Sequence, residues 1–149
     1  MTKLKVQFGA GGNLLEGWIN YDNNVNIAGP LPYESGVVDV ILIEHCLEHV
    51  NAPDGYRFMC EAYRILKNGG VLRICVPTLA KISDRAHAAD LILGHGHQMV
   101  YSKESLWEML YTAGFLRIQT TARKNCDGHW KIIGKKKDDL ETLRVEATK

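Results

Sequence analysis

Val37-Val38-Asp39-Val40-Ile41-Leu42-Ile43 is the stretch on which the reading of the fold turns. Its apolar residues fall on both alternating sets of positions, as expected of a strand buried on both faces of a parallel sheet. Downstream the period changes. Tyr56, Met59, Tyr63 and Leu66 recur at helical spacing, which predicts a helix over Asp54–Lys67. Asn68-Gly69 supplies a stop, because glycine tolerates the left-handed cap. Val71–Val76 then reads as a second buried strand, ended by Pro77. A strand, a helix and a strand in this order predict an α/β layered fold.

The pattern continues in both directions. Lys3–Phe8 reads as a strand that runs into Gly9-Ala10-Gly11-Gly12, and Trp18–Tyr21 as a strand closed by Asp22. Leu79–Leu93 is expected to hold a short helix. Ser102 is placed to cap a helix reaching Ala113, with Glu104 in its first turn. Leu106, Trp107, Leu110 and Ala113 form that helix's apolar stripe, and Gly114 ends it. Leu116–Thr120 alternates as a strand, and Leu143, Val145 and Ala147 alternate as the last one. Between these two lies a polar, lysine-rich connection, Arg123–Asp139. No repeat interrupts the series, so one domain over residues 1–149 is expected.

Composition narrows the function. Hydrophobic residues make up 46% and charged residues 23%, which is ordinary for a globular chain. The net charge of +1 exerts no global pull toward nucleic acid or acidic membranes. Lys135-Lys136-Lys137 precedes Asp138-Asp139 and reads as a solvated loop of mixed sign. Cys46, Cys60, Cys75 and Cys126 form no C-x-x-C pair. Met1–Val6 holds no apolar signal core, and no run reaches the ~20 apolar residues that span a bilayer. A reduced, cytoplasmic setting is expected, with no membrane partner and no indicated nucleic acid.

Two features carry chemistry in open α/β sheets. A glycine cluster at the carboxyl end of a parallel strand stands where such sheets bind ligands. It is also a common simple turn, and it is not G-x-G-x-x-G. Asp22, at the end of the next strand, can accept hydrogen bonds from both hydroxyls of a ribose, or can simply open the turn at Asn23-Asn24.

The order of the remaining motifs adds to these. Leu31-Pro32-Tyr33, Val38-Asp39-Val40-Ile41, His45-Cys46-Leu47-Glu48-His49, Tyr63-Arg64-Ile65-Leu66-Lys67-Asn68-Gly69-Gly70 and Val76-Pro77 follow one another, with Gly114-Phe115 further on. The series resembles the class I methyltransferases that use S-adenosylmethionine (AdoMet), in their compact branch. The resemblance spans nearly the whole chain. It implies a Rossmann-like, seven-stranded, mostly parallel sheet whose last strand is inserted antiparallel. It implies that AdoMet is the cofactor and that an unidentified acceptor is methylated. By the same resemblance Gly9, Ala10 and Gly11 pass under the methionine part, Asp22 holds the ribose, Asn26 and Ile27 lie by the adenine, and Glu44 and His45 border the methyl donor. The chain departs from the family at Gln7, where relatives carry an acid, and at Asn26, where they place Asp. It also has almost no residues for a helix between the glycine loop and the second strand, and its third strand must be vestigial.

Methyl transfer to a hydroxyl or ammonium benefits from a base near neutrality. His45, following the fourth strand of the family pattern, is the first candidate. His97 and Tyr101 sit in the Gly-rich segment before the next helix, where a substrate-facing loop is expected. Each could equally be a solvated or capping residue. His45-x-x-Glu48-His49 also fits the H-x-x-E-H pattern of zinc hydrolases, which needs both histidines on one helical face. A module that keeps the fold but acts by binding is a further alternative, and no metal is assigned.

Overall fold

The computed structural model describes residues 2–80, 82, 84–120 and 142–149. The lysine-rich connection, Cys126 and the Lys135–Lys137 run lie outside the described residues.

Six strands form one sheet: β1 Lys5–Phe8, β2 Ile19–Tyr21, β3 Val38–Glu44, β4 Leu66–Pro77, β5 Arg117–Thr120 and β6 Thr142–Thr148. Their order is β2-β1-β3-β4-β6-β5. β2, β1, β3 and β4 run parallel. β6 enters antiparallel between β4 and β5. The expected inserted last strand is therefore present, while the seventh strand is not formed among the described residues. Residues 22–37, where the third strand of the family pattern belongs, are turns and coil.

A side-chain clamp stands in for that strand. Glu61 Oε2 accepts from the Leu31 amide at 2.8 Å, and Arg64 donates to the carbonyls of Tyr33 at 2.8 Å and Leu31 at 3.2 Å. The same Arg64 pairs with Glu61 at 2.7 Å and holds its carboxyl below the usual range. The Leu-Pro-Tyr and Tyr-Arg-Ile-Leu motifs, far apart in sequence, are thus two halves of one contact. Leu31 is buried by it.

The helices are α1 Ala52–Ile65, α2 Arg85–Leu93 and α3 Lys103–Thr112. α1 starts two residues earlier than its periodicity predicts, because the Asn51 side chain caps the Asp54 amide. It also ends earlier, since Leu66 already pairs with Val38 in the sheet. Its buried face is Gly55, Phe58, Met59, Ala62 and Ile65, rotated from the stripe read in sequence. Tyr56 and Tyr63 instead reach sideways, to the Thr112 carbonyl and to the Phe115 ring at 5.2 Å. The helix expected over Leu79–Leu93 is confined to α2, capped by Asp84, and it buries no residue. α3 has the expected Ser102 cap. Its reciprocal partner is Ser105, which completes a capping box.

Phe8 anchors the core. It stacks on Tyr21 at 5.4 Å and meets the edge of Phe58 at 5.7 Å, joining β1, β2 and α1. Burying a side chain of this size contributes roughly 1.5–3 kcal/mol. Across β4 and β6, buried Arg73 faces Glu146 in register, with a 3.0 Å ion pair. Removing one partner of such a pair would strand the other charge, so the pair disfavours a one-residue slip of β6. No helix among the described residues is long and apolar enough to cross a membrane.

Candidate active site

Because β1 to β4 are parallel, their carboxyl ends share one edge of the sheet, which gathers Gly9–Gly12, Asp22, His45 and Thr78. Thr142 joins them, because antiparallel β6 begins opposite Pro77.

The left of this edge is a backbone cradle. The turn after β1 is closed by the Ala10 amide on the Tyr21 carbonyl at 2.8 Å and the Asn13 amide on the Ala10 carbonyl at 2.8 Å. Gly9 and Gly11 both have positive φ, 70° and 50°. Their reasons differ. A Cβ on Gly9 would lie 2.5 Å from Cys46 Cβ, so the loop packs on the residue after His45. A Cβ on Gly11 would meet nothing within 4 Å, so the space above it is open. Asp22 Oδ1 accepts from the Gly11 amide at 3.3 Å, which brings the exposed carboxylate to the loop. The connection to β2 needs no helix. Asn20 ties it by bonds of 3.1 Å to Leu15 and Trp18.

Asn26 is exposed, and its side-chain carbonyl accepts from the Ala28 amide at 3.0 Å. Ile27 is buried in the core cluster. Glu44 closes β3 opposite Cys75 and is half-buried.

The right of the edge is built from imidazoles. His45 has φ of 46°, an uncommon left-handed conformation for a residue with a side chain, and its amide bonds the Cys75 carbonyl at 2.9 Å. Outliers of this kind cost of order 1–3 kcal/mol and cluster at functional sites. His45 Nδ1 lies 3.6 Å from Glu48 Oε1, and its Nε2 lies 3.3 Å from Thr142 Oγ1. Residues 47–49 form a 3-10 turn. The two histidines of His45-x-x-Glu48-His49 therefore do not share an α-helical face, and the H-x-x-E-H hydrolase geometry is not formed. What the turn does create is a carboxylate, Glu48, exposed by only 2% and facing three imidazoles. The third belongs to His97.

Tyr101 is buried. Its hydroxyl stands 2.7 Å from where a Cβ on Gly55 would sit, which explains a glycine inside α1. Burial, then the Glu48 charge, pushes its phenol up to about 12. Burial, then Glu48 and Asp22, likewise pushes the Cys46 thiol up to about 11, so it stays protonated at neutral pH. Beyond Tyr101 a cavity of about 900 Å³ opens, lined among others by Thr78, Val100, Tyr101, Thr142 and Arg144. His45 reaches it through the lining residue Thr142, and the cavity does not include the glycine loop.

The structure thus assembles Gly9, Gly11 and Asp22 on one side and His45, His97 and Tyr101 on the other. Sequence reasoning gave Glu48 only a place in the hydrolase pattern. Its signal was an acid between two histidines inside an otherwise apolar helix entry.

Residues 19–74 match the family described as a methyltransferase domain. The match begins beyond the glycine loop and ends within β4. No curated protein matches the chain. Among solved structures, an AdoMet-dependent methyltransferase of Archaeoglobus fulgidus aligns with a TM-score of 0.71 at 12% identity, covering 99% of this chain and 86% of that one. One from Thermotoga maritima gives 0.65 at 18% identity, over 98% and 82%. Phosphoethanolamine N-methyltransferase 2 of Haemonchus contortus, in complex with phosphomonomethylethanolamine and S-adenosylhomocysteine, gives 0.62 at 10% identity, over 99% and 49%. At such identities the likeness is one of fold. The chain has the fold of the class I AdoMet-dependent methyltransferases and carries the sequence pattern of a methyltransferase domain over residues 19–74.

Proposed function

We propose that the chain transfers a methyl group from AdoMet to an acceptor bound in the cavity beside Thr142. The observation that carries this reading is the pairing of Asp22 with the Gly11 amide beneath open space. The residues present fit the cofactor. Gly11 leaves the room that a side chain would fill, and the exposed carboxylate of Asp22 can accept from ribose hydroxyls. Asn26 suits an adenine edge through its amide group, its oxygen being already engaged with Ala28. Bound AdoMet supplies an electrophilic methyl on a sulfonium.

His45 is assigned as the base. The Glu48 carboxylate beside Nδ1 favours the tautomer protonated there, which leaves Nε2 as the basic atom. That nitrogen faces Thr142, a wall of the cavity, where an acceptor hydroxyl or ammonium can lose its proton. Tyr101 forms part of the cavity wall, and His97 faces Glu48 behind it. The free thiols of Cys46, Cys60 and Cys75 fit a reducing compartment, and we place the chain in the cytoplasm.

Calorimetric titration of the full chain with AdoMet and S-adenosylhomocysteine tests the cofactor, and methyl-labelled AdoMet offered to hydroxyl and amine acceptors tests the transfer. Absence of saturable binding by either ligand would sink the reading. Binding without transfer to any acceptor would favour a module that keeps the fold and acts by contact. The engaged Asn26 carbonyl and the unformed third strand are the observations on that side.

A further inference from the structure

We propose that Glu48, His49 and His97 form a binding site for a divalent transition-metal ion of the zinc type. The proposal does not rest on the cofactor reading.

One ligand atom from each residue lies within 4.8 Å of the other two. The histidines are oriented for ligation. His97 Nδ1 sits 2.6 Å from the Leu91 carbonyl, and His49 Nδ1 sits 3.4 Å from the Gly96 carbonyl. A carbonyl only accepts, so each Nδ1 carries a proton, and in the neutral imidazole the Nε2 lone pair is then free for a metal. This is the outer arrangement that fixes metal-binding imidazoles. Both Nε2 atoms then face Glu48 Oε1, each at 4.0 Å. That is too long for a hydrogen bond.

Three electron-rich atoms therefore converge on one gap. A buried carboxylate is costly without a compensating charge. Glu48 is 2% exposed, and its Oε2 has no hydrogen-bond partner among the described residues. A cation in the gap supplies the compensating charge. Ligand atoms around tetrahedral zinc, with bonds of about 2.0–2.1 Å, stand roughly 3.3 Å apart, so the two edges to Glu48 must shorten by about 0.7 Å and the edge between the histidines by up to about 1.5 Å.

The frame is already held. The Glu48 carbonyl accepts from the Gln98 amide at 2.8 Å and the Met99 amide at 3.1 Å, and Gln98 Nε2 donates to the His49 carbonyl at 2.7 Å. These bonds join the 3-10 turn to the segment that carries His97. Two imidazoles and a carboxylate suit zinc and its neighbours over magnesium or calcium, which prefer oxygen. Three protein ligands leave a fourth position for water or a ligand.

The test uses the full chain stripped with EDTA. Calorimetry with Zn²⁺, and visible absorption with Co²⁺, should give one equivalent bound and ligand-field bands. Mg²⁺ should give neither. His97→Ala, His49→Ala and Glu48→Gln should each weaken zinc binding by on the order of 100-fold or more. His87→Ala, outside the cluster, should leave it unchanged. Circular dichroism of each metal-free variant separates loss of the site from loss of the fold, and the half-exposed His49 is the mildest of the three changes. The proposal is overturned if the wild type takes up no stoichiometric zinc, or if folded His97→Ala and His49→Ala bind it as well as the wild type.

Discussion

The two sides of the sheet edge are built by different means. The left side, Gly9–Gly12 with Asp22, is mostly backbone, and its residues come from two neighbouring parallel strands. The right side, His45, Glu48, His49 and His97, is all side chain, and it joins the end of β3 to a segment some fifty positions later. A backbone cradle tolerates changes that leave its φ angles and its open space alone. A cluster packed around a buried carboxylate tolerates very little, because a polar group buried away from water is costly wherever its surroundings change. Cys46 connects the sides, packing under Gly9 while following His45.

The hardest test of this contrast is His45→Ala. If the right side holds the base, turnover on an identified acceptor should fall by roughly 10²–10⁴, with calorimetric AdoMet affinity nearly intact. Full turnover would reduce the right side to a positioning wall.

Gly9→Val should break the connection between the sides. The new side chain would collide with Cys46 in a left-handed conformation, and urea denaturation should show a loss of about 2–4 kcal/mol. Stability within about 0.5 kcal/mol of the wild type would mean that the loop does not pack as described.

Asp22→Ala acts on the left side alone. It should weaken AdoMet binding by about 1–3 kcal/mol through loss of a charged acceptor, with little change in folding stability, since the carboxylate is exposed. Unchanged affinity would remove Asp22 from the ribose.

The smallest effect should come from Tyr101→Phe. Its hydroxyl is buried with no hydrogen-bond partner among the described residues, so its removal should leave stability unchanged or raise it by up to about 1 kcal/mol. Turnover should also persist. A loss of turnover comparable to that of His45→Ala would return Tyr101 to the catalytic set.

Legibility followed the same division. The alternation from Val37 to Val76 was enough for the parallel α/β core, since buried strands and a helical period leave local marks, although the Asn68-Gly69 stop read for α1 falls inside β4. The glycine loop and Asp22 were readable because each closes its own strand, and parallel pairing alone brings them together. The rotation of the buried face of α1 was not readable. Tyr56 and Tyr63 satisfy a helical period as well as Phe58 and Ala62 do, and only neighbours in space choose between them.

Local order in the sequence thus determined the α/β alternation, the Ser102 cap and the glycine turn after β1, and resemblance gave the inserted last strand. Tertiary structure decided three things: that Arg64 and Glu61 hold the Leu31–Tyr33 turn, that His45–His49 bends as a 3-10 turn, and that His97 faces Glu48. The physical reason is range. Strand and helix periodicity arises between residues a few positions apart. The field of a buried carboxylate selects its partners by distance in space, and sequence separation leaves no trace of that choice.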